Sequence, residues 1–383
     1  MTTETTSNPF RGREQPAAIL AEIIVEEGCR EHPLAKEIIK RAGLPVRLLA
    51  NDQSTGSADP FYAQNLSQGK RQLVLARNKG KFLKSCPGTR EYLCCGYQVL
   101  NIGMNCPMDC VYCILQAYLN NPRLSFFINI EDMLVELTNA LGQDRQLFWR
   151  IGTGEFTDSL VLDRLTGLSR ILVEFMRDQP NGVLELKTKT VEIDNLATAD
   201  HGGRTIVSWS LNSPWVIDRH ELRAAPLSQR LSAAARCVSW GYNVAFHFDP
   251  LIYYPGWEEG YEETVQRLFE AVPRERIAWI SMGALRFLPS LRSIVATRFP
   301  NVSFFCEEFV PGLDGKSRYF RTRRVALYRH LLQLIKRHAH PATCLYLCME
   351  SREIWQEVFG YSPEDQGGLS AMLDRAAGWT VAS

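Results

Sequence analysis

From residue 98 onward, short β-rich runs alternate with helical stretches, and this rhythm constrains the fold more than any other feature. The runs fall at 98–103 (QVLNIG), 147–151 (LFWRI), 183–189 (VLELKTK), 205–211 (TIVSWSL), 243–249 (NVAFHFD) and 278–284 (AWISMGA). Apolar residues at helical spacing occupy 131–142, 159–177, 226–240, 258–272 and 285–299. The segment after the third run is short, with a weak helical pattern. Strands alternating with helices imply a parallel sheet joined by right-handed crossovers. Six such units satisfy either an open doubly wound sheet or a partial barrel. In both, reactive groups collect beyond the carboxyl ends of the strands.

Those ends are chemically loaded. The first strand runs into Cys106-Pro-Met-Asp-Cys110-Val-Tyr-Cys113, and the second into Gly152-Thr-Gly-Glu155-Phe-Thr157-Asp158. The third ends at Lys189, the fourth in Ser210-Leu-Asn212 and the fifth in His247-Phe-Asp249. Structural zinc wants four ligands, and Cys86, Cys94 or Cys95 could complete such a set. Ferredoxin-type runs also supply four thiolates. Three thiolates alone suit a [4Fe–4S] cluster with one iron open to the amino and carboxylate groups of S-adenosylmethionine (SAM). Tyr112, just before the last cysteine, would then face the adenine.

Taken alone, Gly152, Gly154 and Glu155 spell a tight turn, with Thr157 or Asp158 capping the next helix. Beside a SAM-binding cluster, the same groups would hold the methionine ammonium. Lys189, Ser210 and Asn212 are placed for the SAM carboxylate and ribose, or supply ordinary rim polarity. His247 and Asp249 alternate on one strand and share a face. Together with Glu155 they are the candidates for substrate binding and proton handling, with a hydrogen-bonded structural histidine as the alternative.

Composition narrows the partners. In 383 residues, 43 Lys+Arg oppose 42 Asp+Glu, which excludes a globally basic nucleic-acid binder and leaves only local patches. Residues 316–337 form one, with eight basic residues, no acid, and Tyr319, Phe320 and Tyr328 interleaved. That is the footprint of phosphate contacts, or the solvated face of a helix that buries Val325, Tyr328, Leu332 and Ile335. No apolar run approaches the ~18 residues of a membrane span, and residues 1–16 read as a polar, disordered leader. A cytoplasmic protein is expected, with its eleven cysteines reduced. Six of these fall within 86–113; Cys29, Cys237, Cys306, Cys344 and Cys348 read as packing. The domains expected are an N-terminal α/β extension over 17–95, the barrel over 96–310 and a basic helical region over 311–383. Within 17–43 the spacing predicts two short helices.

The chain resembles radical SAM proteins of the spore photoproduct lyase family. The resemblance rests on Cys106–Cys113 followed by Leu115-Gln116, on Thr157-Asp158, 183–189 and 210–213, and on Pro250 with Gly256-Trp257-Glu-x-Gly-Tyr261. His32-Pro-Leu-Ala-Lys-Glu and Leu73-Val-Leu extend it upstream. It implies a partial (β/α)6 barrel, a cluster on Cys106, Cys110 and Cys113, and SAM contacts from Thr157, Lys189, Ser210 and Asn212. A flavodoxin or ferredoxin would serve as reductant. In the family, the 5′-deoxyadenosyl radical acts on a dimerised thymine lesion in DNA. Three departures stand out. The family's hydrogen-donating cysteine falls at Glu155, its tyrosine after the third cluster cysteine is Ile114, and its lesion-wedging hairpin is not evident near 309–316 (FVPGLDGK). The expectation is therefore a radical SAM enzyme with a substrate still to be identified, nucleic acid among the candidates. The alternatives are authentic repair with another hydrogen donor, and a zinc-holding module without catalysis.

Overall fold

The structure, a computed structural model, describes residues 16–49, 59–86, 88 and 91–378. The expected leader lies outside these residues except for Pro16. Seven strands form one parallel sheet in chain order: Gln98–Leu100, Trp149–Gly152, Gly182–Thr188, Thr205–Ser210, Asn243–Leu251, Ile277–Ala284 and Cys344–Leu347. Each pairs in parallel with the next. A doubly wound sheet reverses strand order at a switch point. Here the order never reverses, so successive right-handed crossovers keep their helices on one side and the sheet curls. Leu83–Ser85 adds an antiparallel edge. The two outer strands do not pair with each other, and the barrel stays open.

The six expected strands are all present. The seventh was missed because Cys344–Leu347 is only four residues long and follows a helix that dominates the local pattern. Ile277–Ala284 is buried at every position, as befits a parallel strand covered on both faces. The helices meet the sheet through single stripes; Leu168–Arg177 buries Leu168, Leu172, Val173 and Met176.

A second sheet packs beside the barrel, in the order Val46–Leu49, Glu22–Glu26, Gln72–Ala76, Leu124–Phe127, Gly103–Met104. Residues 17–43 therefore hold one α-helix, Pro33–Ala42, and a strand where a helix was expected. The β-branched run Ile23-Ile24-Val25 favours the pleated conformation and is fully buried. The run 98–103 divides between the sheets: Gln98–Leu100 stays in the barrel, while Gly103–Met104 pairs antiparallel with Leu124–Phe127. The chain thus changes sheets immediately before the cysteine loop.

The hairpin that the sequence hid is present. Phe309–Pro311 pairs antiparallel with Ser317–Tyr319, and Arg286–Phe287 adds a third strand. Strands of three residues containing a proline show no alternation to read. At the tip, Gly315 turns with φ 73° and Leu313 is 74% exposed. Among the described residues, no helix is long and apolar enough to cross a membrane.

Candidate active site

The cysteine loop opens at Asn105, whose φ of 66° is a left-handed conformation that asparagine tolerates. Its side-chain oxygen accepts the Cys106 N–H at 2.9 Å, and its side-chain nitrogen donates to the Pro122 carbonyl at 3.0 Å. Asp109–Cys110 then pairs antiparallel with Glu221–Leu222. Beneath the loop, buried Asp109 accepts from Lys70 at 3.0 Å and Arg298 at 2.8 Å. Burial alone would raise its pKa, but these two cations hold it far below the ordinary carboxylate range. Lys70 also donates to the Met108 carbonyl at 2.6 Å. The loop is braced by charge from both sides.

Cys106, Cys110, Cys113 and Tyr112 line one wall of a cavity of about 270 Å³ at the carboxyl rim. Gly154, Glu155, Thr157, Lys189, Ser210 and Asp249 line other parts of it. Burial pushes the Cys110 thiol up to about 12 and Cys106 well above its ordinary value, while Cys113 is half-buried. Metal binding would have to displace those protons.

A buried carboxylate organises the centre. Glu221 accepts from the Tyr112 hydroxyl, from Lys189 at 3.3 Å and from Arg230. Although burial opposes its charge, Arg230 and Lys189 hold its pKa down to about 2. Tyr112 thus presents its ring to the cavity with its hydroxyl tied behind, and the Lys189 ammonium sits 5.8 Å from the ring centroid. Neither Thr157 nor Asp158 caps the next helix, Asp163–Thr166, which starts after Leu162 with no side-chain cap; Asp158 instead uses its Oδ1 to accept the N–H groups of Leu160 and Val161 in the turn before it. Its other oxygen accepts the Lys189 N–H at 2.9 Å, joining the ends of the second and third strands. The two glycines leave room for side chains. A Cβ on Gly152 would lie 1.5 Å from the Tyr97 hydroxyl, and one on Gly154 would lie 3.0 Å from the Lys187 Cβ.

Gly152, Asn212 and His247 are not among the residues lining the cavity. Asn212 is occupied by its surroundings, donating to the Pro250 carbonyl at 2.8 Å and accepting from the Tyr261 hydroxyl at 2.7 Å. His247 points into the barrel, where it meets Glu185 and Ser281, each at 2.7 Å. Asp249, two residues on, pairs with Arg286 through both carboxylate oxygens at 2.9–3.0 Å. The face they share is real, but the histidine sits one layer below the mouth. Lys187 was missed as a site residue. Burial works against its ammonium, yet Glu155, Glu185 and Asp249 outweigh it and raise its pKa.

The basic run 316–337 is largely neutralised. Lys316 and Arg318 meet Asp314; Arg321 and Arg329 meet Glu357; Arg323 meets Glu307; and Arg324 meets Glu350. These acids lie outside 316–337, so the run looked unopposed in the sequence.

Below the loop, His220 is packed against Trp215 and Phe304, with neither ring nitrogen hydrogen-bonded. Burial lowers its pKa from 6.5 to about 4. The unfolded chain takes up this proton at a higher pH than the folded one, so stability is complete above pH 6.5 and lost as pH falls towards 4. His220→Phe is expected to remove roughly 3 kcal/mol of this acid sensitivity. Urea unfolding of both proteins at pH 7 and pH 4.5 checks it.

The family model described as spore photoproduct lyase matches residues 21–340. The chain belongs to the spore photoproduct lyase family. It is a radical SAM enzyme of the lyase type, and its open parallel barrel is the fold of that group. The spore photoproduct lyase of Bacillus subtilis is 24% identical over 324 residues, covering 83% of this chain and 91% of the relative. That of Clostridium acetobutylicum is 22% identical over 303 residues, covering 78% and 86%. A solved spore photoproduct lyase variant with bound AdoMet and dinucleoside spore photoproduct superposes with a TM-score of 0.76 at 21% identity, covering 87% of this chain and 99% of that one. At that identity, the likeness establishes the fold. Glu221, Arg230 and Lys187 carry no motif: Glu221 sits unmarked among Asp218, Arg219, His220 and Arg223, and its partners Tyr112 and Lys189 come from distant elements.

Proposed function

We propose that this protein holds a [4Fe–4S] cluster on Cys106, Cys110 and Cys113, cleaves SAM there, and acts on a nucleic acid. What carries the reading is one cavity that collects three thiols from one loop and Thr157, Lys189 and Ser210 from three other strand ends. Among the described residues, no three His, Cys, Asp or Glu side chains converge on a single ion. Three thiols from one loop suit a cluster with one iron left open better than four-coordinate zinc. When bound and reduced, the cluster supplies the electron that divides SAM into methionine and a 5′-deoxyadenosyl radical. Glu155 and the Gly154 backbone then meet the methionine ammonium, Lys189 and Ser210 its carboxylate and ribose, and the Tyr112 ring the adenine. Asn212 acts through the Pro250 carbonyl it holds. Electrons come from a one-electron carrier of the flavodoxin or ferredoxin class.

The hairpin supports the nucleic-acid substrate. Leu313 stands exposed at its tip, while Lys316, on the returning side of the same turn, lines the cavity. An apolar side chain on such a support can unstack bases. The same hairpin favours a second reading, authentic repair of the spore photoproduct, the lesion analogue bound in the solved variant. Glu155 stands against the family's own hydrogen donor, because a carboxylate cannot replace a thiol in that step.

Anaerobic reconstitution followed by dithionite and SAM should release 5′-deoxyadenosine; an intact cluster that releases none would overturn the proposal. With the dinucleoside spore photoproduct added, thymine release would establish the second reading, and unchanged lesion beside SAM cleavage would exclude it. Leu313→Asp should weaken binding of a lesion-bearing oligonucleotide by roughly tenfold (about 1.4 kcal/mol), read by fluorescence anisotropy. Equal affinity would remove the hairpin from the interface.

A further inference from the structure

We infer that Tyr92 is a stacking seat for a nucleobase displaced by the hairpin, an inference that rests on the nucleic-acid reading just proposed. Tyr92 lies on the segment 91–97, which leads into the first barrel strand. The bonds of this segment reach both sides of the barrel's open seam. The Leu93 N–H donates to the Glu350 carbonyl at 3.0 Å, just past the last strand, and the Cys95 carbonyl accepts from Arg150 on the second strand. Held in this way, the segment brings Tyr92 against the hairpin tip, where its hydroxyl accepts the Leu313 N–H at 3.2 Å.

A second contact fixes the plane of the ring. The Arg318 guanidinium lies 4.2 Å from the Tyr92 ring centroid, within reach of a cation–π contact. Arg318 is itself anchored, donating to Asp314 at 2.8 Å and to the Met349 carbonyl at 3.3 Å. Its side chain is only 3% exposed, whereas Tyr92 is half-exposed. With a buried guanidinium under one face, that exposure belongs to the opposite face and the ring edge. Met349 and Lys316 join this corner to the cavity, whose wall they line.

Leu313 and Tyr92 then act as one device. An apolar wedge driven between bases leaves one of them with a bare face. A ring whose hydroxyl touches the wedge's own backbone offers that base a new neighbour. Bound at its hydroxyl and backed by Arg318, the ring is already in place, so stacking on it orders little further side chain. Every base has a π-face, so the seat favours an extruded base without choosing among the four. Selection of the reacting base stays with the cavity.

The test compares two fluorescein-labelled DNA duplexes by anisotropy on the full-length protein. One carries a single bulged thymidine, and the other is identical but abasic at the bulge. Wild type should prefer the bulged base roughly tenfold, and so should Tyr92→Phe, which keeps the ring and loses only the hydroxyl. Tyr92→Leu should bind the two duplexes alike. Because each protein is compared with itself, a general loosening of the hairpin weakens both duplexes and leaves the ratio unmoved. An undiminished preference in Tyr92→Leu or no preference in wild type would overturn the assignment. So would equal loss in Tyr92→Phe, which would give the effect to the hydroxyl's hold on the hairpin. Wild type that binds neither duplex would instead sink the nucleic-acid reading, and this inference with it.

Discussion

Cys113→Ala should leave a folded protein that takes up no stable [4Fe–4S] cluster and cleaves SAM no faster than dithionite alone. Cys113 is the informative choice among the three because it is half-buried, whereas Cys106 and Cys110 are buried. Removing a half-buried thiol costs little packing, so loss of the cluster would report ligation and not collapse of the loop. Iron and sulfide analysis after anaerobic reconstitution, beside circular dichroism, separates the two. A variant that retains a full complement of iron would place the third ligand elsewhere, with Cys86, Cys94 and Cys95 next to be examined.

Glu221→Ala should be the most destabilising single substitution near the site, costing about 3–5 kcal/mol. Arg230 and Glu221 are both wholly buried and paired, and Lys189 is mostly buried against the same carboxylate. Truncation strands one guanidinium in the core with no counter-charge, and it also frees Tyr112 and Lys189 from their common anchor. Glu221→Gln, which keeps the shape and some of the hydrogen bonds, should cost less. The pH dependence has a definite sign. With the folded pKa near 2 against an ordinary 4.5, the carboxylate's contribution is complete above about pH 4.5 and lost as pH falls through 2. Denaturant midpoints of both variants at pH 7 and pH 3 measure it: the gap between wild type and Glu221→Gln should narrow at the lower pH.

The legible parts of this molecule were those written in local spacing. Six barrel strands and the cysteine loop follow from period and position, because each is determined by residues within a few places of one another. The second sheet was harder to read. Ile23-Ile24-Val25 lies next to a true helix, and Gly103–Met104 takes its partner from 124–127. The hairpin over 309–319 was hidden for a related reason, since its strands are too short to show alternation. At the site, Thr157, Lys189 and Ser210 could be placed by strand ends alone. The Glu221 network could not, since Tyr112, Lys189 and Arg230 converge on it from separate elements. The basic run misled for the mirror-image reason: acids such as Glu350 and Glu357 answer it from outside its own window.

The bracing of the cysteine loop also fixes an order of events in time. Its three thiols are synthesised early, but the groups that shape it arrive at Glu221 and finally at Arg298, nearly two hundred residues behind Asp109. A ribosome has therefore made most of the barrel before the loop can take its folded form. Until then the cysteines are three ordinary thiols on an unfinished chain. Iron and sulfide delivered at that stage would meet no prepared seat, so the cluster proposed for these thiols would have to enter the completed fold.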